Sequence, residues 1–145
     1  MIHVNNKVLV LFITVVFFLT GMTVYADEHA EIFDIKQEQI IKSIEMNLEI
    51  KREALKLAGG ITGMCMKLRP VPESGYMIGI PIEPSEKLHS TMGSCTVKRL
   101  IVVMPEKGDV ILGVFDDREK FLFYYIKDNA AGLLKKLNFS LPISG

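Results

Sequence analysis

The 145-residue sequence has no tryptophan, two cysteines and three histidines, and its 17 basic side chains are balanced by 17 acidic ones. Phosphate binding requires a cationic surface, so a chain without a basic surplus is unlike a nucleic-acid-binding protein. The sequence also lacks a glycine-rich phosphate loop, zinc-ligand spacing and a haem-attachment motif. We therefore predict a protein that has no cofactor and no catalytic residues and is not an enzyme.

The first 26 residues have the pattern of a secretory signal peptide. One cation, Lys7, precedes an apolar block over residues 8–19, and Val24 and Ala26 place accepted side chains at positions −3 and −1 of a cleavage site. Cleavage there leaves 119 residues (145 − 26) with 16 basic (17 − 1, for Lys7) and 17 acidic side chains. We expect one soluble exported domain over residues 27–145, either periplasmic or secreted.

An uncleaved anchor is the alternative for the same segment. Residues 8–25 are apolar or small throughout, and a stretch of about 18 such residues can just span a bilayer. The chain would then be the extracytoplasmic sensor domain of an anchored protein. Both alternatives place the remaining residues outside the cytoplasm.

The two cysteines, Cys65 and Cys95, both lie in the exported part. An even count in an oxidising compartment predicts one intramolecular disulfide. Closing that loop would stabilise the domain by roughly 3.5 kcal/mol in the chain-entropy model. Two buried free thiols are the alternative, and geometry rather than sequence decides between them.

Residues 29–58 have a helical pattern of apolar side chains that ends at the glycine pair 59–60. A 30-residue helix is roughly 45 Å long, more than the width of a domain of this size. We expect its uncovered turns to bind a protein partner or a second copy of the chain, although a helix laid across a sheet is the plainer interpretation. The interaction residues that this pattern predicts are Phe33, Ile40, Ile44 and Leu48.

Beyond the glycines, short apolar runs indicate strands. The predicted strands are residues 61–68, 76–82, 96–104, 109–115 and 121–126. Residues 105–108 supply proline and glycine for a hairpin turn, whereas Pro81 suggests that the second strand lies at an edge or ends early. A helical turn or polar loop is expected at 84–89. Asp128 and Asn129 are expected to cap a last helix with Ala131, Leu134 and Leu137 on its apolar side.

These elements predict an α+β fold with a long N-terminal helix, an antiparallel sheet of about five strands and a C-terminal helix. The element order resembles that of small profilin-like and PAS-like sensor or scaffold domains. The resemblance covers element order alone and no sequence motif, so it implies little about function.

A group of sulfur and imidazole side chains suggests a second function. Thioether and thiolate ligands select Cu(I). Side chains two residues apart on a strand share a face, so Met64 and Met66 point away from Cys65, and methionine is also a common core residue. The predicted ligands of this alternative site are Met64, Met66, His89, Met92 and Cys95.

The leading hypothesis from the sequence is an exported, non-enzymatic domain that binds a protein or a small ligand in the cell envelope. Soft-metal binding and the anchored sensor domain are its alternatives.

Overall fold

The computed structural model describes residues 28–67 and 69–142, together with Lys7 and Val15. Most of the predicted signal peptide and its cleavage site therefore lie outside the described residues. Within these residues the chain forms one antiparallel sheet and two short helices. The strands are β1 (His29–Asp34), β2 (Gln39–Glu45), β3 (Ile61–Met64), β4 (Gly75–Ser90), β5 (Gly93–Pro105), β6 (Ile111–Asp116) and β7 (Phe121–Ile126).

The helices are α1 (Leu48–Gly59) and α2 (Ala131–Lys136). The seven strands are ordered β2-β1-β4-β5-β6-β7-β3, and every neighbouring pair is antiparallel. Neither helix in the described part of the chain combines the length and the apolarity needed to cross a bilayer.

The prediction of a long N-terminal helix is wrong. Residues 29–45 form the β1–β2 hairpin, and the helix occupies only residues 48–59. The hairpin turn is stabilised locally, because Asp34 Oδ1 accepts a hydrogen bond from Gln37 N at 3.0 Å and Glu38 has φ of 55°. The isoleucines of this stretch are β-branched and favour strands, so the helical spacing was produced by two strands and a helix read as one element.

Helix α1 is capped at both ends by hydrogen bonds. The Asn47 side chain accepts a hydrogen bond from Ile50 N at 2.8 Å, and Gly60 closes the other end with its N–H directed at Leu57 O. The predicted end at the glycine pair is confirmed. The predicted start is wrong by about five turns of helix.

The sheet has seven strands, so the prediction of about five is also wrong. Strand β4 extends through Ser90, which makes residues 84–89 a strand rather than a helical turn. Pro81 does not mark an edge, because β4 lies between β1 and β5. The register with β1 ends at Gly79, and this places Pro81 beyond that ladder, where its missing N–H costs nothing.

The C-terminal half follows the sequence expectations closely. Strands β5 and β6 pair as the predicted hairpin, and Gly108 in their turn has φ of 115°. Strand β7 pairs with both β6 and β3. The α2 helix is present, and Asn129 Oδ1 accepts a hydrogen bond from Ala131 N at 3.0 Å. Its predicted apolar side is wrong at Ala131, which is exposed, and the buried residue of the helix is Leu133.

Both helices pack on the same side of the sheet, which we call the helix-covered face. Its sheet residues include Ile32, Ile80, Leu100, Val102 and Leu112, all fully buried. Ile50, Ala54 and Leu57 of α1 and Leu133 of α2 complete this cluster. Burial of apolar surface contributes about 25 cal/mol per Å² to folding, so this cluster stabilises the fold.

Candidate functional site

The opposite side of the sheet also carries apolar side chains, and we call it the second face. Its buried cluster consists of Phe33, Ile35, Cys65, Met77, Ile101, Val103 and Ile111. Strand alternation explains the division: Leu100 lies on the helix-covered face and its neighbour Ile101 on the second face. The two faces are therefore built from the same kinds of side chain.

One row of apolar residues crosses the second face at right angles to the strands. Each member lies directly opposite the next in the strand register. Neighbouring strands are about 4.8 Å apart, so a row crossing six strands is roughly 24 Å long. We call these residues the apolar row: Ile40, Phe33, Met77, Val103, Ile111 and Tyr125.

The central members of the apolar row are buried although both helices lie on the other face. Met77 is 7% exposed and Val103 is fully buried. Among described residues outside the strands, Val15 and Val71 pack against this cluster. Val15 belongs to the apolar block near the N-terminus, so a residue distant in sequence from the sheet lies on its second face.

The β2 end of the apolar row is accessible. Ile40 is 47% exposed and its neighbour Ile41 40%. The strand register shifts here, because Ile32 is opposite Lys42 while Phe33 is opposite Ile40, which leaves Ile41 as the extra residue of a β-bulge. Two large aliphatic side chains are thereby exposed together at the margin of the second face.

The structure separates the four interaction residues that the helical pattern grouped. Phe33 and Ile40 are direct cross-strand neighbours in the apolar row. Ile44 packs on the helix-covered side, and Leu48 is 61% exposed at the first position of α1. Because the four residues do not share a helix face, the predicted docking helix does not exist. Two of its residues nevertheless belong to one continuous surface.

The outer edge of β2 has features that discourage strand pairing. Its bulge interrupts the ladder, and Lys42 Nζ donates to the carbonyl oxygens of Leu137 and Asn138 at 3.2 and 2.6 Å. Bulges and lysines on edge strands are common protections against pairing with another chain. The apolar face, rather than the strand edge, is therefore the better candidate for binding.

The β7 end of the second face is aromatic. The rings of Phe121 and Phe123 meet edge to face with centroids 4.8 Å apart. They lie over Gly113, where an added Cβ would come within 2.6 Å of the Phe121 ring. Nearby, hydrogen bonding with Cys65, together with burial and the Asp109 charge, raises the pKa of Tyr125. Its hydroxyl therefore stays neutral at physiological pH.

One end of the second face carries an opposed pair of charges. Glu31 of β1 lies opposite Gly79 of β4, and Arg99 of β5 lies opposite Pro81 of β4. Gly79 and Pro81 are successive β4 residues on the second face. Burial lowers the pKa of Arg99, and the Glu31 charge counters that effect. The guanidinium remains ionised, since even a lowered arginine pKa lies far above neutrality. Beyond the apolar row, the face thus ends in charged groups.

The two cysteines lie on opposite faces. Cys65 belongs to the second-face cluster, whereas Cys95 packs against the helix-covered cluster. Both are free thiols, and the structure does not contain the predicted disulfide. Burial and the charges of Asp116 and Asp117 raise the pKa of Cys95, so its thiol is protonated at neutral pH. Sequence spacing alone gives no information about which face each cysteine occupies.

The soft-metal residues fall into two groups. Met64 and Met66, 38% and 79% exposed, end and follow β3, while His89, Met92 and Cys95 lie on the β4–β5 hairpin. Thr91 Oγ1 donates to Ile61 O at 3.0 Å, which holds the tip of this hairpin against β3. Within the described residues, no group of three or more histidine, cysteine or acidic side chains is arranged to hold a metal ion.

A serine and a histidine also meet on the β4–β5 hairpin. His89 Nδ1 and Ser94 Oγ are 3.1 Å apart, and both residues are exposed. They are directly opposite in the strand register, so ordinary cross-strand pairing explains the contact. Geometry of this kind does not distinguish a nucleophile from a surface hydrogen bond.

A shallow cleft of about 280 Å³ opens at one end of the sheet, between the β1–β2 turn, the β5 end and the C-terminal tail. Ser74 Oγ donates to Glu106 Oε2 at 2.7 Å on its rim. Burial and the charges of Asp34 and Glu106 raise the pKa of Tyr76, which also lines it. The cleft is thus mildly acidic, and no sequence motif indicated it, because its residues come from four separate segments.

Comparison with protein-family models, with curated proteins and with solved structures finds no match to this chain.

Proposed function

We propose that this protein is an exported, non-enzymatic domain of the cell envelope that binds another protein through the second face of its sheet. The observation that carries the proposal is the apolar row, which crosses six strands on the side of the sheet opposite both helices. The central members of the row are buried, with Val15 packed against their cluster. Removal of residues 1–26 would expose a contiguous apolar patch of a size that monomeric proteins seldom leave in water and that commonly marks an interaction site.

The exposed isoleucines at the β2 margin indicate where contact begins. Ile40 and Ile41 are accessible, and the adjoining Phe33 continues the same surface inward. Large aliphatic and aromatic side chains supply most of the binding energy of protein interfaces, particularly where the surrounding residues exclude water. A partner that presents an apolar helix or strand fits such a surface; a second copy of this chain is the alternative occupant.

Photo-crosslinking in the native envelope tests this proposal. A photoreactive side chain at position 40 should give one adduct of discrete mass, whereas the same group at position 48 should give none above background. Leu48 is a matched control because it is equally apolar and 61% exposed, but lies at the start of α1. An adduct of twice the protein's own mass would identify a homodimer.

Two results would contradict the proposal. Equal adducts from positions 40 and 48 would mean that contact is unspecific. The second contradicting result has two parts. Position 40 would give no adduct, and Ile40→Glu would leave unchanged the set of envelope proteins that co-purify with this protein. Together they would mean that this margin binds nothing.

Soft-metal binding is a second candidate, favoured by the Thr91–Ile61 hydrogen bond that brings the β4–β5 hairpin to β3. Methionine sulfur and the Cys95 thiol suit Cu(I). Titration of the reduced protein with Cu(I) against a competing chelator should then show one site that is lost in Met92→Leu. An unchanged titration in that variant would eliminate the site.

A further inference from the structure

The cleft at one end of the sheet is separate from the second face. Three of its lining residues form a row across neighbouring strands, because Asp34 of β1 is opposite Tyr76 of β4 and Tyr76 is opposite Met104 of β5. Tyr76 and Met104 pack in the helix-covered cluster. The cleft therefore opens on the other side of the sheet from the apolar row.

Several of the side chains that line the cleft are apolar. Pro105 at the end of β5 and Leu141 and Pro142 of the C-terminal tail all contribute to it. The rings of Tyr76 and Phe139 meet edge to face with centroids 5.4 Å apart, which holds the start of the tail beside the sheet. Because Leu141 is 45% exposed, an alkyl chain packed against it would remove apolar surface from water.

Two carboxylates supply the negative charge of the cleft. Asp34 Oδ1 accepts a hydrogen bond from Gln37 N at 3.0 Å, and Glu106 Oε2 accepts one from Ser74 Oγ at 2.7 Å. Within the described part of the chain, the other oxygen of each carboxylate accepts no hydrogen bond. After the larger effect of burial, both charges raise the pKa of Tyr76, so both act at the same place in the cleft.

One basic side chain, Lys36, lines the cleft as well. It is exposed in the β1–β2 turn and forms no ion pair with Asp34 or Glu106 among the residues that the structure describes. The cleft therefore has an excess of one negative charge, and neither carboxylate is neutralised by contact with a cation of the chain.

We propose that this cleft binds a primary alkylammonium group, with the ammonium held by the carboxylates of Asp34 and Glu106 and the alkyl chain packed on Pro105 and Leu141. Hydrogen bonds between an ammonium and a carboxylate are roughly twice as strong as those between neutral groups. The proposal does not rest on the second face, and either site can exist without the other.

The size of the cleft limits the ligand to a small one. Pockets for drug-sized molecules have volumes of about 300–1,000 Å³. This cleft, at about 280 Å³, is just below that range. It suits a small free amine or one lysine side chain of another protein, which share the alkylammonium group.

Nuclear magnetic resonance of the full chain tests the site. The amide of Gly75, which lines the cleft, is the reporter, and that of Gly63 in β3, at the far edge of the sheet, is the reference. The probe is n-butylammonium chloride, and 1-butanol is its neutral control of similar shape. We expect a saturable shift of the Gly75 signal with n-butylammonium, affinity for 1-butanol lower by about tenfold or more, and no shift of Gly63.

Substitution of the carboxylates tests their role. Glu106→Gln and Asp34→Asn keep the shape of each side chain and one acceptor oxygen, but remove the charge. Each should weaken n-butylammonium binding by about tenfold. Asp109→Asn is the matched control and should bind like the unaltered chain, because it removes one charge from an exposed residue of the β5–β6 turn that does not line the cleft.

A second probe, N-acetyl-lysine amide, separates the two sources of the group. Binding tighter than that of n-butylammonium would show that peptide groups contribute, and would identify a lysine of another protein as the occupant. Binding that is no tighter would identify a free amine.

Three results would overturn the proposal. A Gly75 shift that never saturates would mean that the cleft holds no site. Equal binding of 1-butanol would mean that the carboxylates are not used, and this comparison needs no substitution that could impair folding. Equal weakening by Asp109→Asn and Glu106→Gln would mean that the cation responds to the overall charge of the protein rather than to this cleft.

Discussion

The two faces of this sheet have similar apolar side chains, but they differ in what covers them. The helix-covered face meets α1 and α2, which follow β2 and β7 in the chain. On the second face, Val15 packs against the buried cluster although it is about 60 residues from Met77 in sequence. Val71, in the segment after β3, packs there as well. Apolar composition therefore does not tell which face of a sheet is permanent core and which is available for binding.

The largest expected effect separates the two faces at adjacent positions of β5. Leu100→Ala should destabilise a protein that lacks residues 1–26 by about 2–5 kcal/mol, because it leaves a cavity under the helices. On the proposal that the second face is a binding surface, Ile101→Ala should cost less than about 1 kcal/mol in the same protein, because a binding surface without its partner contacts water. Urea denaturation of each variant gives both values.

Both substitutions are also measured in the full chain, in which Val15 packs against the cluster that contains Ile101. There Ile101→Ala should become more costly, while the effect of Leu100→Ala should not change. Equal losses for the two substitutions in the protein that lacks residues 1–26 would show that the second face is ordinary core.

An intermediate effect is expected beneath the aromatic end of the second face. Gly113→Ala places a Cβ within 2.6 Å of the Phe121 ring, so the ring must move and the variant should lose about 1–3 kcal/mol. Gly63→Ala in β3 is the matched control, because no heavy atom lies within 4 Å of its added Cβ. A neutral Gly113→Ala variant would mean that the two phenylalanines are free to swing away from the face.

A smaller effect is expected where β2 is tied to the helix-covered side. Lys42→Ala removes two hydrogen bonds from an ammonium to main-chain carbonyls, and should cost about 1 kcal/mol. Lys36→Ala is a suitable control, since that lysine is exposed in the β1–β2 turn. If thermal unfolding is the same for both variants, the Lys42 contact does not hold β2 in place.

The smallest effect is one of pH and concerns Cys95. Burial and two acidic neighbours raise its pKa in the folded protein, so folding favours the protonated thiol. This contribution to stability is present below the ordinary thiol pKa of about 8.5 and is lost as pH rises through the higher folded pKa. The free energy of unfolding should therefore fall as pH rises above the ordinary thiol pKa, and less steeply in Cys95→Ala. An identical slope in that variant would exclude Cys95 as the cause.

Local signals predicted the C-terminal half of the fold. Pro105 and Gly108 specify the β5–β6 turn, Asn129 accepts a hydrogen bond from the first amide of α2, and the glycine pair at 59–60 ends α1, each through contacts within a few residues. The N-terminal hairpin was missed because Ile32, Ile40 and Ile44 fit a helical and a strand period about equally well. Pairing with β4 decides between them, and that information is not local.

The candidate site was only partly predictable for the same reason. Phe33 and Ile40 were identified as interaction residues, but on a helix that does not exist. Their true relation depends on the bulge at Ile41, which sets the register of β1 on β2. The positions of Cys65 and Cys95 on opposite faces likewise depend on strand register, which a spacing of 30 residues cannot reveal.

The most direct test is whether the second face, unlike the helix-covered face, is accessible in a protein that lacks residues 1–26. Residues 27–145 are prepared alone at high dilution, and peroxide oxidation of each methionine is measured. We expect Met77 on the second face to oxidise well before Met104 on the helix-covered face, with the exposed Met66 as the fast reference. Oxidation of Met77 as slow as that of Met104 would contradict the assignment of the second face as a binding surface.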